Sequence, residues 1–399
     1  MLKFHFKDSY ISYILLFTFY FFALGIFSSI MSIYLSGMEK TPVEISFIVS
    51  SVGIFSIVTQ PVVGYFVDKT GSPKLISTVA LLLAGISGVA FMFFQNTLLL
   101  FLLNGFTLAF INGVSPINEK LATNSRFRYG NIRIWGAIGF AIASQVAALT
   151  YDFISPKFNF VLFFIAIVIS LIGYYGTTEV ETTKQSSLHD ISFKEVSIVL
   201  FKNIPYIIFL LITLLFTGMT TVNNTYLPLL ITANGGQVSV VGTVMFLATL
   251  VEIPIILFSH LFLDQLSSKR LLSISFIIII IQFSCYGLFS SIGIIMVSAF
   301  FFKALATMLF IMITLKVVIN IVQPDYVNSA LGIAATWKAL GGLIFQVFSG
   351  MVVDISSIQT LYQVFVGFSI IGLLLVLLLR IPHQENRSLF NGKGEDIEP

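Results

Sequence analysis

The chain has 399 residues, of which 57% are hydrophobic and only 10% are charged, and its formal net charge is +3. Soluble domains carry about 25% charged residues, so this composition excludes an ordinary soluble globular protein. A hydrocarbon core about 30 Å thick needs roughly 20 apolar residues per helix, and the sequence supplies such runs repeatedly. We therefore predict an all-α membrane protein that crosses the bilayer many times.

Twelve apolar runs follow one another, six before a polar interval and six after it. They cover roughly residues 10–36, 43–67, 75–94, 97–119, 133–151, 159–178, 204–231, 241–263, 271–290, 293–319, 330–353 and 360–380. We predict an N-terminal bundle (1–178), a linker (179–203), a C-terminal bundle (204–380) and a tail (381–399). The first run is too long for the apolar region of a cleavable signal peptide.

Lysine and arginine residues lie almost entirely on one side of the predicted membrane. If the N-terminus is inside, the outer loops carry only Lys40 and Lys157. Cytoplasmic loops of membrane proteins carry an excess of these residues. We therefore predict that both termini and the linker are cytoplasmic and that the protein lies in the cytoplasmic membrane.

The two halves of the chain repeat one loop pattern. GYFVDKTGSPK (Gly64 to Lys74) follows the second run, and HLFLDQLSSKR (His260 to Arg270) follows the eighth. Each stretch has an aspartate four residues after its first position and a basic residue at its end. Two ordinary positive-inside loops are the alternative, but transporters are commonly built from such internal repeats.

The first of these loops resembles the loop signature of the major facilitator superfamily, G-x-x-x-D-[RK]-x-G-x-x-[RK]. Its defining places are filled by Gly64, Asp68, Lys69, Gly71 and Lys74. The stretches FTFYFFALGIF, FSIVTQPVVGYFVDKTGSPK and YGNIRIWGAIGF are similar to the lactose permease branch of oligosaccharide–proton and nucleoside–proton symporters. The likeness covers the whole chain in topology and is specific mainly in residues 1–150. It implies two six-helix bundles around a central cavity that work by alternating access.

The resemblance makes the Gly64–Lys74 loop a conformational gate, and the repeat gives Asp264 and Arg270 the matching places in the second half. An aspartate at the end of a helix hairpin can meet a helix N-terminus or an arginine in one conformation only. Such a contact would stabilise one side of the alternating-access equilibrium.

The resemblance also implies a solute-binding pair, an acid late in the fourth helix and an arginine early in the fifth. These map onto Glu119, which follows Pro116, and onto Arg133 in YGNIRIWG. The planar fork of arginine suits bidentate hydrogen bonding to solute hydroxyls. A helix-end acid and an ordinary positive-inside arginine are the alternative. Phe140 stands where lactose permease has the tryptophan that stacks on the sugar.

The sequence departs from that branch in its second half. The acids of the seventh helix are absent, with Asn223 and Asn224 in that neighbourhood, and the tenth helix lacks the coupling histidine and glutamate. We predict that Asn223, Asn224 and Lys303 contact the solute. Tyr20 and Phe17 are candidates for a stacking face, with ordinary packing as the alternative.

Ionisable residues inside apolar runs mark candidate functional sites. Glu252 lies near the middle of the eighth run, where desolvation favours the neutral carboxyl and allows proton exchange near neutral pH. Lys303 lies deep in the tenth run, and Lys338 lies about two turns from the inner end of the eleventh. Either lysine can pair with Glu252, neutralise an anionic solute or snorkel to an interface. We predict Glu252 and Lys338 as proton-coupling residues, with a structural, non-titrating Glu252 as the alternative.

These features predict a proton-coupled secondary transporter that imports a small polar solute such as a sugar, glycoside or nucleoside. A proton-driven exporter of amphipathic drugs or lipids is the alternative, favoured by the aromatic interior. The sequence shows no phosphate-binding glycine-rich loop, no metal-spaced histidines and no nucleophile–base pair. We therefore expect no enzyme activity, no metal and no cofactor beyond the coupling proton. The expected partners are the solute and the bilayer, without nucleic acid, and we expect a monomer.

Overall fold

The computed structural model describes residues 7–177, 199–257, 265–323 and 326–381. Twelve helices in these ranges are long and apolar enough to cross a membrane, and no strand occurs among the described residues. The predicted all-α architecture with twelve spanning helices is therefore confirmed. Most of the predicted linker and tail lies outside the described residues, and the orientation of the termini stays a prediction.

The helices are numbered α1 to α12 in chain order. The first six are α1 (Tyr10–Ser28 and Met31–Gly37), α2 (Pro42–Thr70), α3 (Pro73–Phe91), α4 (Thr97–Thr123), α5 (Tyr129–Phe153) and α6 (Phe158–Gly176). The others are α7 (Ile204–Ala233), α8 (Val238–Leu257), α9 (Ser268–Leu288), α10 (Ile292–Ser298, a π-helical turn at Ala299–Lys303, and Ala304–Ile321), α11 (Val327–Ile355) and α12 (Ile358–Leu378).

Short polar side chains begin several of these helices. The Thr41 hydroxyl accepts a hydrogen bond from the Glu44 N–H at 3.2 Å, and the Glu44 carboxylate accepts one from the Thr41 N–H at 3.0 Å. Asn96 caps α4 by accepting from the Leu99 N–H at 3.1 Å. These side chains accept hydrogen bonds from backbone N–H groups that have no partner within the first helical turn. An N–H group without a partner costs most free energy in apolar surroundings.

The end of α2 explains one glycine of the loop signature. Gly71 follows the last residue of α2 with φ 62°, and its N–H donates to the Val67 carbonyl at 2.9 Å. A left-handed residue is a common way to end a helix, and glycine adopts it without the steric cost of a Cβ atom. The loop therefore needs glycine at this position for backbone geometry alone.

We expect Gly71→Ala to lower the free energy of unfolding by about 1 kcal/mol, because alanine is strained in this conformation. Gly64→Ala is the matched control, since Gly64 lies inside α2 and a Cβ atom there meets nothing within 4 Å. The melting temperatures of both purified variants in detergent test this. Equal melting temperatures for the two variants would contradict the backbone explanation.

The chain divides into two compact units. The first comprises residues 1–185, 221–250 and 343–358, so it contains α1 to α6 with parts of α7, α8 and α11. The second comprises residues 186–220, 251–342 and 359–399, and it contains α9, α10, α12 and the remaining parts of those three helices. The predicted bundle boundaries at residues 178 and 204 stay a prediction.

Glycines let α1 pack closely against α5 and α6 in the first unit. A Cβ atom on Gly139 of α5 would lie 2.1 Å from the Thr18 carbonyl oxygen of α1. A Cβ atom on Gly173 of α6 would lie 2.4 Å from the Leu16 backbone nitrogen. Small residues at such crossings allow the backbones of membrane helices to approach one another.

Polar side chains also join helices inside the first unit. The Asn104 amide of α4 donates to the Ser51 hydroxyl and to the Ile48 carbonyl of α2, both at 3.0 Å. Inside the second unit, aromatic rings also pack against one another, and Phe216 stacks on Phe310 with ring centroids 3.9 Å apart. The abundance of phenylalanine is thus explained in part by helix packing.

Candidate functional site

The predicted solute-binding pair forms in the first unit. The Arg133 Nε atom lies 3.3 Å from the Glu119 Oε1 atom, and the Tyr129 hydroxyl donates to Glu119 Oε2 at 2.6 Å. The Arg133 guanidinium also lies over the Phe21 ring, 4.4 Å from its centroid. The side chains of Arg133 and Glu119 remain 38% and 33% exposed, so both stay accessible to a ligand. We call these four residues the α4–α5 charge site.

The helix ends place these side chains together. Glu119 lies in the last turns of α4, and Tyr129 is the first residue of α5. Tyr129 and Arg133 are four residues apart, so both project from the same face of α5 toward Glu119. A short connection between two helix ends thus brings an acid, a base and a phenol within hydrogen-bonding distance.

Pro116 leaves α4 with fewer internal hydrogen bonds one turn before Glu119, because proline has no N–H to donate. In this part of the helix the Tyr20 hydroxyl donates to the Ile111 carbonyl at 2.7 Å. Tyr20 therefore ties α1 to α4 beside the charge site.

The geometry of the α4–α5 charge site suits an uncharged polar ligand. The carboxylate and the guanidinium neutralise each other, and the Phe21 ring covers one face of the guanidinium. The remaining N–H donors of Arg133 and the lone pairs of Glu119 are left for hydroxyl groups. Such a pair can donate to and accept from neighbouring hydroxyls at the same time.

Two members of this site were missed from the sequence. Tyr129 could have been found from its spacing, because it precedes Arg133 by four residues on the same helix. Phe21 gives no comparable signal, since the sequence contains 42 phenylalanines and α1 alone is rich in them. Its position over Arg133 is visible only in three dimensions.

The aromatic residues that were predicted to stack on the solute are not members of the α4–α5 charge site. Tyr20 and Phe17 are only 3% and 1% exposed, and their rings pack inside the first unit. Phe140 is half-buried and lies against Gly25 of α1, whose Cβ atom would come within 3.3 Å of the ring. In this structure Tyr20 and Phe17 therefore contribute to the packing of the first unit. Solute stacking by all three residues stays a prediction.

Asn223 and Asn224 lie side by side in α7 but differ in exposure. Asn223 is 2% exposed, whereas Asn224 is exposed. Their role as solute contacts stays a prediction.

Four buried polar side chains form a cluster, which we call the α2–α7–α11 cluster. It consists of Ser46, Thr225, Tyr226 and Gln346. The Ser46 and Tyr226 hydroxyls lie 2.7 Å apart, the Gln346 amide donates to Ser46 at 3.3 Å, and Thr225 donates to the Gln346 carbonyl oxygen at 3.2 Å. The cluster joins α2 to α7 and α11 inside the first unit.

The second unit contains the ionisable residues that the sequence places deep in the membrane. Lys303 ends the π-helical turn of α10 and interacts electrostatically with Glu252 of α8. Both side chains are half-buried. π-Helical turns are rare and frequently lie at functional sites. The structure thus brings Glu252 together with Lys303, a pairing that spacing alone left open.

Lys338 lies in the N-terminal half of α11, as the sequence predicted. The expected position was about two turns from the inner end of the eleventh run. Helix α11 begins at Val327, eleven residues before Lys338, which corresponds to about 16 Å along the helix axis. The candidate membrane span begins at Ser329, nine residues before Lys338, and the proton-coupling role of Lys338 stays a prediction.

The predicted gate loop is only partly described. The side chain of Asp68 and the whole of Asp264 lie outside the described residues. Lys69 lies over the Tyr65 ring at 5.7 Å, and the Lys74 ammonium donates to the Thr177 carbonyl at 2.5 Å. Arg270 is exposed at the start of α9. The gate function of these residues, including Gly64 and Gly71, stays a prediction.

The described part of the chain contains no candidate metal site. No group of three or more His, Cys, Asp or Glu side chains there is placed to hold an ion.

Comparisons with known proteins show which family this chain belongs to. The model of the MFS_1 like family matches residues 10–382. The transporter YwbF of Bacillus subtilis (strain 168), itself named as uncharacterized, is 27% identical over 388 residues, covering 93% of this chain and 94% of its own length. The maltose permease of Geobacillus stearothermophilus is 26% identical over 273 residues, covering 67% of this chain and 68% of the permease.

A solved structure confirms the predicted fold. The crystal structure of the nucleoside transporter NupG superimposes with a TM-score of 0.78 at 20% identity, covering 92% of this chain and 98% of NupG. The twelve helices of this chain therefore adopt the major facilitator fold. The chain belongs to the MFS_1 like family and is a multi-pass membrane transporter of the major facilitator superfamily, not an enzyme.

Proposed function

We propose that this transporter moves a small polar solute, a sugar, glycoside or nucleoside, across the cytoplasmic membrane by proton-coupled symport. The observation that carries the proposal is the α4–α5 charge site, where Glu119 and Arg133 form an accessible pair 3.3 Å apart. The names of the maltose permease and of the nucleoside transporter NupG support a polar, hydroxyl-rich solute.

A neutralised pair at the adjoining ends of two membrane-spanning helices favours hydroxyl groups over apolar ligands. Charged and polar side chains are expensive in a bilayer unless they have partners or a water-filled path. Glu119 and Arg133 satisfy each other when no solute is bound, so the empty site is not strongly destabilised. A solute with several hydroxyls displaces water from the Glu119 carboxylate and the Arg133 guanidinium, and its hydroxyls can replace the hydrogen bonds to that water on both groups at once.

Proton coupling is proposed for Glu252. This carboxyl lies in a half-buried position with Lys303 as its electrostatic partner. Protonation of Glu252 removes the negative charge that the lysine ammonium faces, so the stability of the pair depends on proton occupancy. A carrier needs such a dependence to link the proton gradient to solute movement.

The α2–α7–α11 cluster supports alternating access. Its hydrogen bonds join a helix from the first half of the sequence to two helices from the second half. A carrier that opens alternately to the two sides has to break and remake contacts of this kind. Direct hydrogen bonds between buried neutral groups are strong enough to hold one state and weak enough to exchange.

We expect Glu252→Gln to abolish proton-driven accumulation while leaving solute exchange measurable, because the amide cannot release a proton. The measurement is uptake into proteoliposomes with an acidic exterior, compared with counterflow of the same solute without a pH gradient. Glu39→Gln is the control, since Glu39 is an exposed loop acid and its loss should change neither rate. Full gradient-driven accumulation by the Glu252→Gln variant would contradict the assignment of Glu252.

A further inference from the structure

A cavity of about 270 Å³ lies in the first unit, apart from the sites described above. It is lined by the end of α1, the α3–α4 connection, the end of α5 and the α5–α6 connection. Three candidate membrane spans end there, at Gly37, Phe91 and Phe153, and a fourth begins at Phe158. The ends of spanning helices mark the level at which the hydrocarbon core gives way to lipid headgroups. The cavity therefore lies where headgroups are found.

The cavity is far from the α4–α5 charge site. Tyr151 lines the cavity and lies 22 residues after Tyr129 on α5, which corresponds to about 33 Å along the helix axis. A ligand in the cavity is therefore not the solute held by Glu119 and Arg133.

Five polar side chains line this cavity: Tyr34, Gln95, Tyr151, Ser155 and Lys157. In the part of the chain that the structure describes, none of these side chains has a hydrogen-bond or ion-pair partner. Each of them can donate a hydrogen bond. The cavity thus gathers donors that are available to a ligand.

The two phenols are fixed by their surroundings. The Tyr34 ring packs edge-on against Phe160, with ring centroids 4.9 Å apart. The Tyr151 hydroxyl lies over the backbone of Gly37, where a Cβ atom would come within 2.7 Å of it. Tyr34 and Tyr151 also interact electrostatically, so their hydroxyls are near one another. The positions of both donors are therefore set by packing.

The lining differs in chemistry from the α4–α5 charge site. Among the described residues that line the cavity, Lys157 is the one charged side chain, and no carboxylate occurs. Asp152 adjoins Tyr151 in the sequence, but its carboxylate accepts a hydrogen bond from the Ser239 N–H at 2.7 Å. A sugar hydroxyl both donates and accepts, whereas a phosphate diester only accepts. An excess of donors with a lysine therefore favours a phosphate.

Large apolar side chains beside the cavity are open to the surroundings. Phe93, Phe153 and Ile154 are 70%, 75% and 66% exposed. The cavity has room for about nine water molecules, which is enough for a headgroup but not for acyl chains. Acyl chains attached to a headgroup in the cavity would lie along these exposed side chains.

We propose that this cavity binds the phosphate group of a membrane phospholipid. Lys157 supplies the positive charge, the Tyr34 and Tyr151 hydroxyls donate to the phosphate oxygens, and the acyl chains cover the exposed apolar side chains. Hydrogen bonds from a charged donor to a phosphate are among the stronger ones in proteins. The lipid would join the ends of α1, α5 and α6, so its binding stabilises the first unit. The inference is independent of which solute is transported.

The first test separates the phosphate from the acyl chains. The melting temperature of the purified full chain in detergent is measured with phosphatidylglycerol, with diacylglycerol of the same chains and with glycerol 3-phosphate. A ligand that binds only the folded state raises the apparent melting temperature. We expect phosphatidylglycerol to raise it and the other two compounds to leave it unchanged.

The second test locates the bound lipid. We expect Tyr151→Phe and Lys157→Gln each to weaken the apparent affinity for phosphatidylglycerol at least about threefold, because each removes a donor to the phosphate. Tyr175→Phe and Lys120→Gln are matched controls, since both residues are exposed and neither lines the cavity. Both controls should retain the affinity of the unmodified chain. Native mass spectrometry of all four variants counts the lipid molecules that stay bound.

Three results overturn the proposal. Equal stabilisation by diacylglycerol shows that acyl chains bind without the phosphate. Equal stabilisation by glycerol 3-phosphate assigns the cavity to a soluble phosphate compound. An affinity for phosphatidylglycerol that either cavity variant leaves unchanged places the lipid elsewhere on the protein.

Discussion

Gly139→Ala is expected to lower the melting temperature by roughly 1–4 °C, whereas Gly130→Ala on the same helix is tolerated. A Cβ atom at residue 139 would lie 2.1 Å from the Thr18 carbonyl oxygen and 2.9 Å from two further backbone atoms of Thr18. Backbone atoms cannot rotate away as a flexible side chain does, so α1 and α5 must separate. Overpacking of this kind typically costs about 1–3 kcal/mol, and separation of α1 also disturbs its contact with α6.

Gly130 provides a matched control, because an added Cβ atom there meets nothing within 4 Å. The chemical change is identical, and helix propensity favours alanine over glycine most strongly at an interior position such as residue 139, so a loss of stability there reports the clash. Thermal unfolding of both purified variants, with the monodisperse fraction after size-exclusion chromatography, measures the difference. Indistinguishable melting temperatures would show that α1 and α5 do not cross closely at Thr18.

Arg133→Ala is expected to reduce solute uptake at least about tenfold, because charge-assisted hydrogen bonds contribute about 1.5–3 kcal/mol each. The variant leaves Glu119 with Tyr129 as its remaining partner and uncovers the Phe21 ring. Arg133→Lys should recover only part of the activity, since a point charge cannot replace a planar fork.

Arg126→Ala is a close control for this variant. Arg126 also forms an ion pair, with Asp8 at 3.5 Å, and also lies over an aromatic ring, that of Phe127. Its side chain is 63% exposed, so solvent screens the pair and its loss should change uptake by less than about twofold. Initial uptake rates in proteoliposomes, corrected for protein content, separate the two variants. Equal losses in Arg133→Ala and Arg126→Ala would assign Arg133 an ordinary structural role.

The sequence allowed the main features of the fold to be predicted because each spanning helix is a long apolar run. The pairing of Glu119 with Arg133 was also predictable, since both lie near the ends of consecutive helices joined by a short connection. The capping of α2 by Gly71 follows the same local logic, because a glycine just after a helix often takes a left-handed conformation.

The partners of Glu252 could not be predicted from the sequence. The π-helical turn at Ala299–Lys303 adds a residue to one turn and rotates Lys303 away from the position that an uninterrupted α-helix would give it. Periodicity therefore cannot decide between Lys303 and Lys338.

The most direct test of the transport account is solute accumulation under an imposed proton gradient. A solute that stabilises the purified chain is added to proteoliposomes with an acidic exterior, and its internal concentration is followed with and without a protonophore. Proton-coupled symport predicts accumulation above the external concentration, abolished by the protonophore. Equilibration without accumulation, or proton-driven efflux of amphipathic dyes in place of solute uptake, would contradict it and favour an exporter.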